Sequence, residues 1–496
     1  MISKFVAVLP LILALLSGRP FFARESQEKH VIILDAGSTG SRVYVYKYDH
    51  EHPLETIQEV AHMRVNPALS TFVNNSAGLS LQLSSLIEFA MTMTPPLSWA
   101  SIDISLKATA GLRSLNVDDQ KYLIDATVDV FRKSVFSCDP INTKVISGEE
   151  EALFDVLAVT ALFQSYKDGF VSLGAADMGG SSQQIAFLYN ATKAHSESEQ
   201  QLRETADPEM PVEMEVDPSR ISLITGPRAV TGPGSGAVSV GCSSDWRISI
   251  PGRNERVEIY AKSMEYMGLI GAMDTVLENF YADQSVSNCT GRSDVTMAAG
   301  LGLDLNAVNS IGDDNIGIAK QSECSQPLHP CLPDGSFPEV PGFLTYPQPL
   351  HGLGDFDKCL DLLRAVLVPK AQLTVDVSCV KANRPKVMVG MDNYPKVLEI
   401  LGIPQGLTIA PSEIRRRAIL VCRRPWRELL ADFPTFMPYR AQRACFGATY
   451  VYSMLVDVYG IEDDDKEAFL PVDSVGEYEL SWALGAALFS AMDLKV

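Results

Sequence analysis

Two short segments of this 496-residue chain carry residue types suited to holding a phosphate and a cation. Residues 31–46 read VIILDAGSTGSRVYVY and residues 173–188 read LGAADMGGSSQQIAFL. Each is an apolar run that ends in aspartate, then glycine mixed with hydroxyl residues, then a second extended run. That is strand, tight loop, strand. Glycine lets a backbone approach an anion closely and adopt positive φ, and successive N–H groups form an anion-binding nest. Ser38, Thr39, Ser41, Ser181 and Ser182 add hydroxyl donors. Asp35 and Asp177 stand at the loop mouths and suit a hard cation, Mg²⁺ or Ca²⁺, directly or through water. One such loop is equally a tight hairpin turn. Two of them in matching strand contexts imply a duplicated domain with facing phosphate loops.

Between the loops lies VISGEEEALFDVLAV, residues 145–159. Ser147 reads as a helix N-cap and Glu150 as its capping-box partner, while Glu149 suits the helix dipole. Glu151 is not needed for capping. It is either a solvated carboxylate at a helix start or a general base within reach of a water beside the phosphates.

The elements that must position these groups follow from periodicity. Strands are expected at 31–35, 43–48, 102–108, 141–146 and 170–178, with 184–189 extended. Asn116 caps an expected helix that runs to about Ser134, and residues 149–164 form an amphipathic helix. Helical patterns recur at 257–280, 356–368, 411–430 and 438–458. Residues 191–236 are rich in Glu, Ser, Pro and Gly and read as a surface excursion or lid. Residues 324–351, rich in Pro, Gly and Cys, should be irregular.

Composition narrows the classes. At roughly 150 residues per domain the length suggests two to four domains. The net charge of −20 repels nucleic acid and anionic membranes. It also repels nucleotides, so a phosphate site here must rely on local donors and a bound cation. Lys4 followed by the apolar Phe5–Leu16 and by Ser17, Gly18 and Ala23 reads as a signal peptide covering 1–24, too short for a span of ~20 residues. The apolar Trp482–Met492 is also too short. The expected location is therefore secreted or in the lumen of the secretory pathway, with no stable membrane anchor and no nucleic-acid partner. Sequons at Asn74, Asn190 and Asn288 agree. All nine cysteines lie beyond residue 137 without metal-binding spacing, which favours disulfides and leaves an odd thiol. Cys331 has two candidate partners, Cys324 and Cys359.

The motifs in order resemble those of the ecto-apyrases, the nucleoside triphosphate diphosphohydrolases: DAGSTGSR at 35–42, ATAGLR at 108–113, SGEEEALF at 147–154, DMGGSSQQI at 177–185 and SWALGAAL at 481–488. The resemblance covers most of residues 30–490. It implies an α/β, actin-like (RNase H-like, duplicated) two-domain fold with an interdomain cleft. Domain I would hold 30–172 plus 475–496, and domain II 173–474, with 191–236 as a flexible insertion. It implies a secreted apyrase that hydrolyses terminal phosphates of nucleoside tri- and/or diphosphates with Mg²⁺ or Ca²⁺.

By position, the resemblance assigns Asp35 and Asp177 to the cation, largely through water. Gly37, Ser38, Thr39, Gly40 and Ser41 form the first phosphate loop, and Gly179, Gly180 and Ser181 the second. Glu151 is the implied base. Ser182 and Gln184 are implied to orient the attacking water, and Thr109 to support it. Arg42 and Arg113 are shared with the family, as structural or functional residues. Cys422 and Cys445 are implied to pair. The nucleobase would sit within 190–470 on an aromatic ring, with Tyr346, Phe356, Tyr394 and Phe436 as candidates against a plain packing role.

Two departures stand out: Ala152-Leu153-Phe154-Asp155-Val156 replaces the usual Gly-x-Tyr-Gly-Trp, and Gln183 stands where Thr is common. Two other readings compete. A sugar kinase or exopolyphosphatase-like enzyme shares the Asp-Gly loops, but its fourth motif differs from GGSSQQ. A nucleotide-binding protein without turnover would show binding without phosphate release.

Overall fold

A computed structural model of the chain describes residues 28–164, 173–189, 246–249, 256–287, 328–336, 351–432 and 438–492. The expected leader at 1–24, the sequons at Asn190 and Asn288, the expected excursion at 191–236 and most of 324–351 lie outside these residues.

The N-terminal sheet consists of β1 (Glu28–Ala36), β2 (Ser41–Asp49), β3 (Gln58–Val65), β4 (Asp103–Ala108) and β5 (Lys144–Val145), in the order β3-β2-β1-β4-β5. The β1–β2 and β2–β3 pairings are antiparallel; β1–β4 and β4–β5 are parallel. The second sheet contains β6 (Leu173–Met178), β7 (Ser182–Tyr189), β8 (Trp246–Ser249) and β9 (Arg256–Glu265). After a small ribbon of β10 (Gly335–Ser336) and β11 (His351–Gly352) come β12 (Val387–Asp392) and β13 (Phe469–Pro471). The second sheet's order is β13-β12-β6-β7-β9-β8. Without the edge strand β8, the series β9-β7-β6-β12-β13 repeats the strand senses of the first sheet, antiparallel twice and then parallel twice. The duplication implied by the two Asp-Gly loops is therefore present in the pairing pattern.

Helices cover both faces of each sheet, which explains why VIIL in β1 is apolar without alternation. Ile32 and Leu34 pack outward beneath α1 (Ser76–Thr92) and α2 (Val117–Arg132), while Val31 and Ile33 face inward. The inward faces of both sheets close on two helices, α3 (Gly148–Gln164) and the C-terminal helix at Trp482–Ala491, apolar except for Ser490. The outer face of the second sheet carries α4 (Leu269–Ser287), α5 (Phe356–Gln372), α6 (Asn393–Ile400), α7 (Pro411–Cys422) and α8 (Ala444–Ser453). The C-terminal helix, α9, crosses α3 so closely that a Cβ at Gly485 would fall 1.8 Å from the carbonyl oxygen of Phe154. Phe154 also packs against Trp482 and Phe489 of α9. This is the packing behind the altered third motif.

Capping follows the sequence. Glu150 N–H donates to Ser147 Oγ and Ser147 N–H to Glu150 Oε2, both at 3.1 Å. Asn116 Oδ1 accepts from Asp119 N–H at 2.9 Å. Four expectations need correction. Residues 257–280 are not one helix: β9 runs to Glu265 and α4 begins at Leu269. In β9, Ile259 and Ala261 face one core while Tyr260 and Met264 face the other, a period of two that the apolar helix directly after it obscured. The strand expected at 141–146 shrinks to Lys144–Val145, because Pro140 opens a 3₁₀ turn through Asn142. The expected 411–430 and 438–458 helices are each divided, the first after Cys422 and the second around Arg443.

Cys331 pairs with Cys359, and Cys422 with Cys445, which ties α7 to α8. Cys138 is a free thiol. Replacing both Cys422 and Cys445 by alanine opens a crosslink with a sequence separation of 23. It should lower unfolding stability by about 3 kcal/mol, read as a lower denaturant midpoint with little change in slope.

Candidate active site

Strand parity brings the two aspartates together. Asp35 shares its face of β1 with Val31 and Ile33, and Asp177 shares its face of β6 with Leu173 and Ala175. Both strands therefore deliver an aspartate to the layer between the sheets, where α3 begins. The resulting cleft of about 80 Å³ is lined by Asp35, Asp177, Glu151 and Thr109 together with both loops. Asp35 Oδ2 accepts from Arg42 Nη1 at 2.9 Å. Asp35 Oδ1 and Asp177 Oδ1 are buried without a hydrogen-bond partner. Burial raises the Asp35 carboxyl to about 6, opposed by Arg42. Burial, then Asp392 and Glu151, push Asp177 well above the usual carboxylate range.

The loops meet across the cleft. Gly37 N–H donates to Gly40 O at 3.0 Å and closes the first turn. A Cβ at Gly180 would lie 2.9 Å from Ser38 Oγ, which shows how near the second loop comes to the first. Gly179 O and Gly180 O accept the N–H groups of Leu269, Ile270 and Gly271. These satisfy otherwise orphaned donors at the start of α4 and hold the loop with those carbonyls turned toward the helix. Gly37, Ser38, Thr39, Gly179, Gly180, Ser181 and Ser182 line the cleft. Ser41 does not belong with them. It shares the outward parity of Val43 and Val45, and its Oγ accepts from Gln82 Nε2 at 3.2 Å. Gly40 packs instead against Asn66 and Val65.

Glu151, Ser182 and Gln184 form one hydrogen-bonded group. Gln184 Nε2 donates to Ser182 Oγ at 2.9 Å, to Ser263 Oγ at 3.1 Å and to Glu151 Oε2 at 3.3 Å. Arg113 holds the same group: Nη1 donates to Glu151 Oε2 at 3.0 Å, and Nη2 reaches Ser182 Oγ at 3.1 Å and Glu265 Oε1 at 3.0 Å. Thr109 sits beside them, its N–H donating to Ala36 O at 3.2 Å. Burial raises the Glu151 carboxyl to about 7; Arg113 opposes this, and Asp35 and Glu265 add to it. A carboxylate near 7 is matched to proton uptake at neutral pH. Removing Arg113 removes the influence that lowers this value. Arg113→Gln should therefore move the acid limb of the kcat/KM–pH profile to higher pH, and an unmoved limb would separate Arg113 from Glu151.

Several residues at the cleft were not singled out as site residues. Asp155, one helical turn after Glu151, is fully buried on α3, and burial followed by Asp177 pushes its carboxyl well up. The i, i+4 spacing on one helix face was the available signal. Asp392 ends β12 at φ +52°, an uncommon backbone state for a non-glycine, and pairs with Lys396 at 2.6 Å. Asp473, Glu479 and Trp482 enter from the chain's last segment; Trp482 belongs to the fifth motif, while no local pattern marks Asp473 and Glu479. Gln183, the departure in the fourth motif, is buried among hydroxyls. Its Nε2 donates to Tyr394 and Tyr459, and its Oε1 accepts from Tyr450. Tyr394 and Phe356 are accordingly core residues rather than base platforms. Tyr346 and Phe436 lie outside the described residues.

Among the described residues no three His, Cys, Asp or Glu side chains converge as a direct metal cage. The unpaired buried oxygens of Asp35 and Asp177 do fit a hydrated hard cation, which would relieve their crowded negative charge. Among the same residues no helix is long and apolar enough to cross a membrane.

Comparison with known proteins agrees with this geometry. The sequence pattern of the GDA1/CD39 (nucleoside phosphatase) family matches residues 22–214 and 319–496. The chain is 25% identical to probable apyrase 5 of Arabidopsis thaliana over 492 residues, covering 95% of this chain and 83% of that one. It is 33% identical to human nucleoside diphosphate phosphatase ENTPD5 over 160 residues, covering 32% of this chain and 37% of that one. In structure it is similar to a nucleoside triphosphate hydrolase from Neospora caninum, with a TM-score of 0.59 at 11% identity, covering 99% of this chain and 97% of that one. The two matched segments span most of the sequence, both Asp-Gly loops lie in them, and the chain belongs to the GDA1/CD39 (nucleoside phosphatase) family.

Proposed function

We propose that this protein is an apyrase that hydrolyses the terminal phosphate of nucleoside tri- and diphosphates with a divalent cation, using water deprotonated by Glu151. The observation that carries this reading is the convergence of Glu151, Ser182 and Gln184 in one hydrogen-bonded group at the cleft where the two Asp-Gly loops meet.

In this mechanism the loop residues Gly37–Thr39 and Gly179–Ser181 grip the terminal phosphates from opposite sides. Ser182 and Gln184 orient a water, and Glu151 takes its proton. A Mg²⁺ or Ca²⁺ held through water by Asp35 and Asp177 would offset charge on the phosphate oxygens. The water attacks in line, and the shortened nucleotide leaves; positioning and fixed dipoles do most of the work. Glu151 then returns its proton to solvent or to the products.

The division into 30–172 with 475–496 and 173–474 belongs to the same reading, with closure about the cleft during turnover. The disulfides Cys331–Cys359 and Cys422–Cys445 support an oxidising compartment, consistent with a leader at 1–24 and secretion.

The test is phosphate release from ATP, ADP, GDP and UDP with Mg²⁺, Ca²⁺ or EDTA. Release that needs a divalent cation supports the proposal, and the panel ranks the substrates. Nucleotide binding without release would sink it in favour of a non-catalytic binder.

A further inference from the structure

Two residues outside the five motifs reach the group that holds Glu151. In the antiparallel pairing of β7 with β9, Ser182 stands opposite Glu265 and Gln184 opposite Ser263. Directly opposed residues place their side chains on one face of the sheet, where they meet. Here it is the face toward α3, which Ile259 and Ala261 of β9 share. Ser263 is packed tightly there: a Cβ at Gly148, where α3 begins, would fall 2.1 Å from Ser263 Oγ. The Ser263 hydroxyl donates to Glu265 Oε1 at 3.1 Å, and its oxygen accepts from Gln184 Nε2 at 3.1 Å. Glu265 Oε1 also accepts from Arg113 Nη2 at 3.0 Å.

A hydroxyl has one hydrogen to give. That of Ser263 is committed to Glu265, so Ser263 offers Gln184 only lone pairs. Glu151 Oε2 also accepts from Gln184, and Ser182 Oγ already accepts from Arg113. A reversed amide would set the Gln184 oxygen against these acceptors, and the neighbours of an amide decide which way it faces. Nε2 is therefore held toward them. Gln184 Oε1 is left buried without a hydrogen-bond partner among the described residues, a costly state that a bound donor would relieve. We propose that Ser263 and Glu265 are positioning residues: they hold the Gln184 amide so that its carbonyl oxygen accepts one hydrogen of the attacking water while Glu151 takes the other as a proton. With both hydrogens engaged, the water's lone pairs are left for phosphorus. The inference rests on the hydrolytic reading above and adds what orients the water; the bonds made and broken are those of that hydrolysis.

The experiment measures kcat and KM with Mg²⁺ for the best substrate of the nucleotide panel above, in the wild-type chain, in Ser263→Ala, in Gln184→Ala and in the double variant. Ser263→Ala should lower kcat about 10-fold, the scale of one lost hydrogen bond, with KM changed little. In the Gln184→Ala background the same substitution should cost nothing further, because its effect passes through the amide. Glu265 is half-exposed, so it tests the same chain of bonds where the fold is least at risk. Glu265→Ala should lower kcat to a similar extent, and Glu265→Gln, whose amide oxygen can still accept from Ser263 and Arg113, should recover most of the loss. Thermal melting checks that each variant is folded. A wild-type kcat in folded Ser263→Ala or Glu265→Ala overturns the inference and leaves the proposed function standing. An equal loss from Ser263→Ala with and without Gln184 does the same, since Ser263 would then act by another route. No phosphate release from any nucleotide of the panel overturns both.

Discussion

Glu151→Gln should slow phosphate release by about 10²–10⁴-fold while nucleotide binding persists. Glutamine has the same shape and can still accept from Arg113 through its amide oxygen, so the hydrogen-bonded group around Ser182 and Gln184 should survive. What disappears is the ability to take a proton. The loss should therefore fall on kcat, with the affinity for a non-hydrolysable analogue changed little. The residual activity should also lack the acid limb that a carboxyl at about 7 imposes. In the wild-type chain activity rises as pH increases through that value, because only the deprotonated form accepts the water's proton. A fully active Glu151→Gln variant would leave the fold unaffected and show that the base lies elsewhere.

The second large effect is a trade of activity against stability at Asp177. Its carboxyl ionises well above its ordinary 3.8 in the folded chain because it is buried beside Asp392 and Glu151. The folded state therefore binds more protons than the unfolded one across that interval. The stability this group contributes is complete below about 3.8 and is lost as pH rises through the folded value. Asp35, at about 6, and Glu151, at about 7, act in the same direction. In EDTA the melting temperature should thus fall as pH rises from about 5 to about 8, and Mg²⁺ should recover part of the fall by binding only the folded site. Asp177→Asn removes the charge. It should raise the melting temperature in EDTA at neutral pH, flatten its pH dependence and lower cation-dependent turnover by about 100-fold or more. A variant that melts lower than wild type at neutral pH in EDTA would contradict this account of the site's stored repulsion.

Much of the site was legible because its parts are local. The Asp-Gly loops each lie within one strand-loop-strand segment, and their similarity announced the duplication later seen in the strand senses of the two sheets. The start of α3 was readable from Ser147 and Glu150, which cap it reciprocally. That assignment left Glu151 as the glutamate without a capping task. Helices α2 and α5 were equally accessible, since cap residues and a repeat near 3.6 lie within one stretch of chain.

Where an element's character depends on a neighbour distant in sequence, the reading stopped. Residues 257–265 read as the start of a helix, yet they form a strand because β7 offers an edge to pair with. Ser41 looked like another loop hydroxyl, yet the pleat of β2 turns it to the outer face toward Gln82. Phe356 and Tyr394 have the rings that a nucleobase would use, but the helical layer buries them. Arg113 joins Glu151, Ser182 and Glu265 from three different elements, a role that spacing along the chain cannot express. The sequence by itself therefore determined the duplicated strands, the two Asp-Gly loops and the capped helix that carries Glu151, the proposed base, because dihedral preference, capping and hydrophobic period act over a few residues. The tertiary structure alone decided which carboxylates share the cleft and that Ser263 of β9 meets Gln184. Burial and Coulomb interaction depend on distance in space, and Asp35, Asp177, Asp392 and Glu479 meet only after both sheets have closed on α3 and α9.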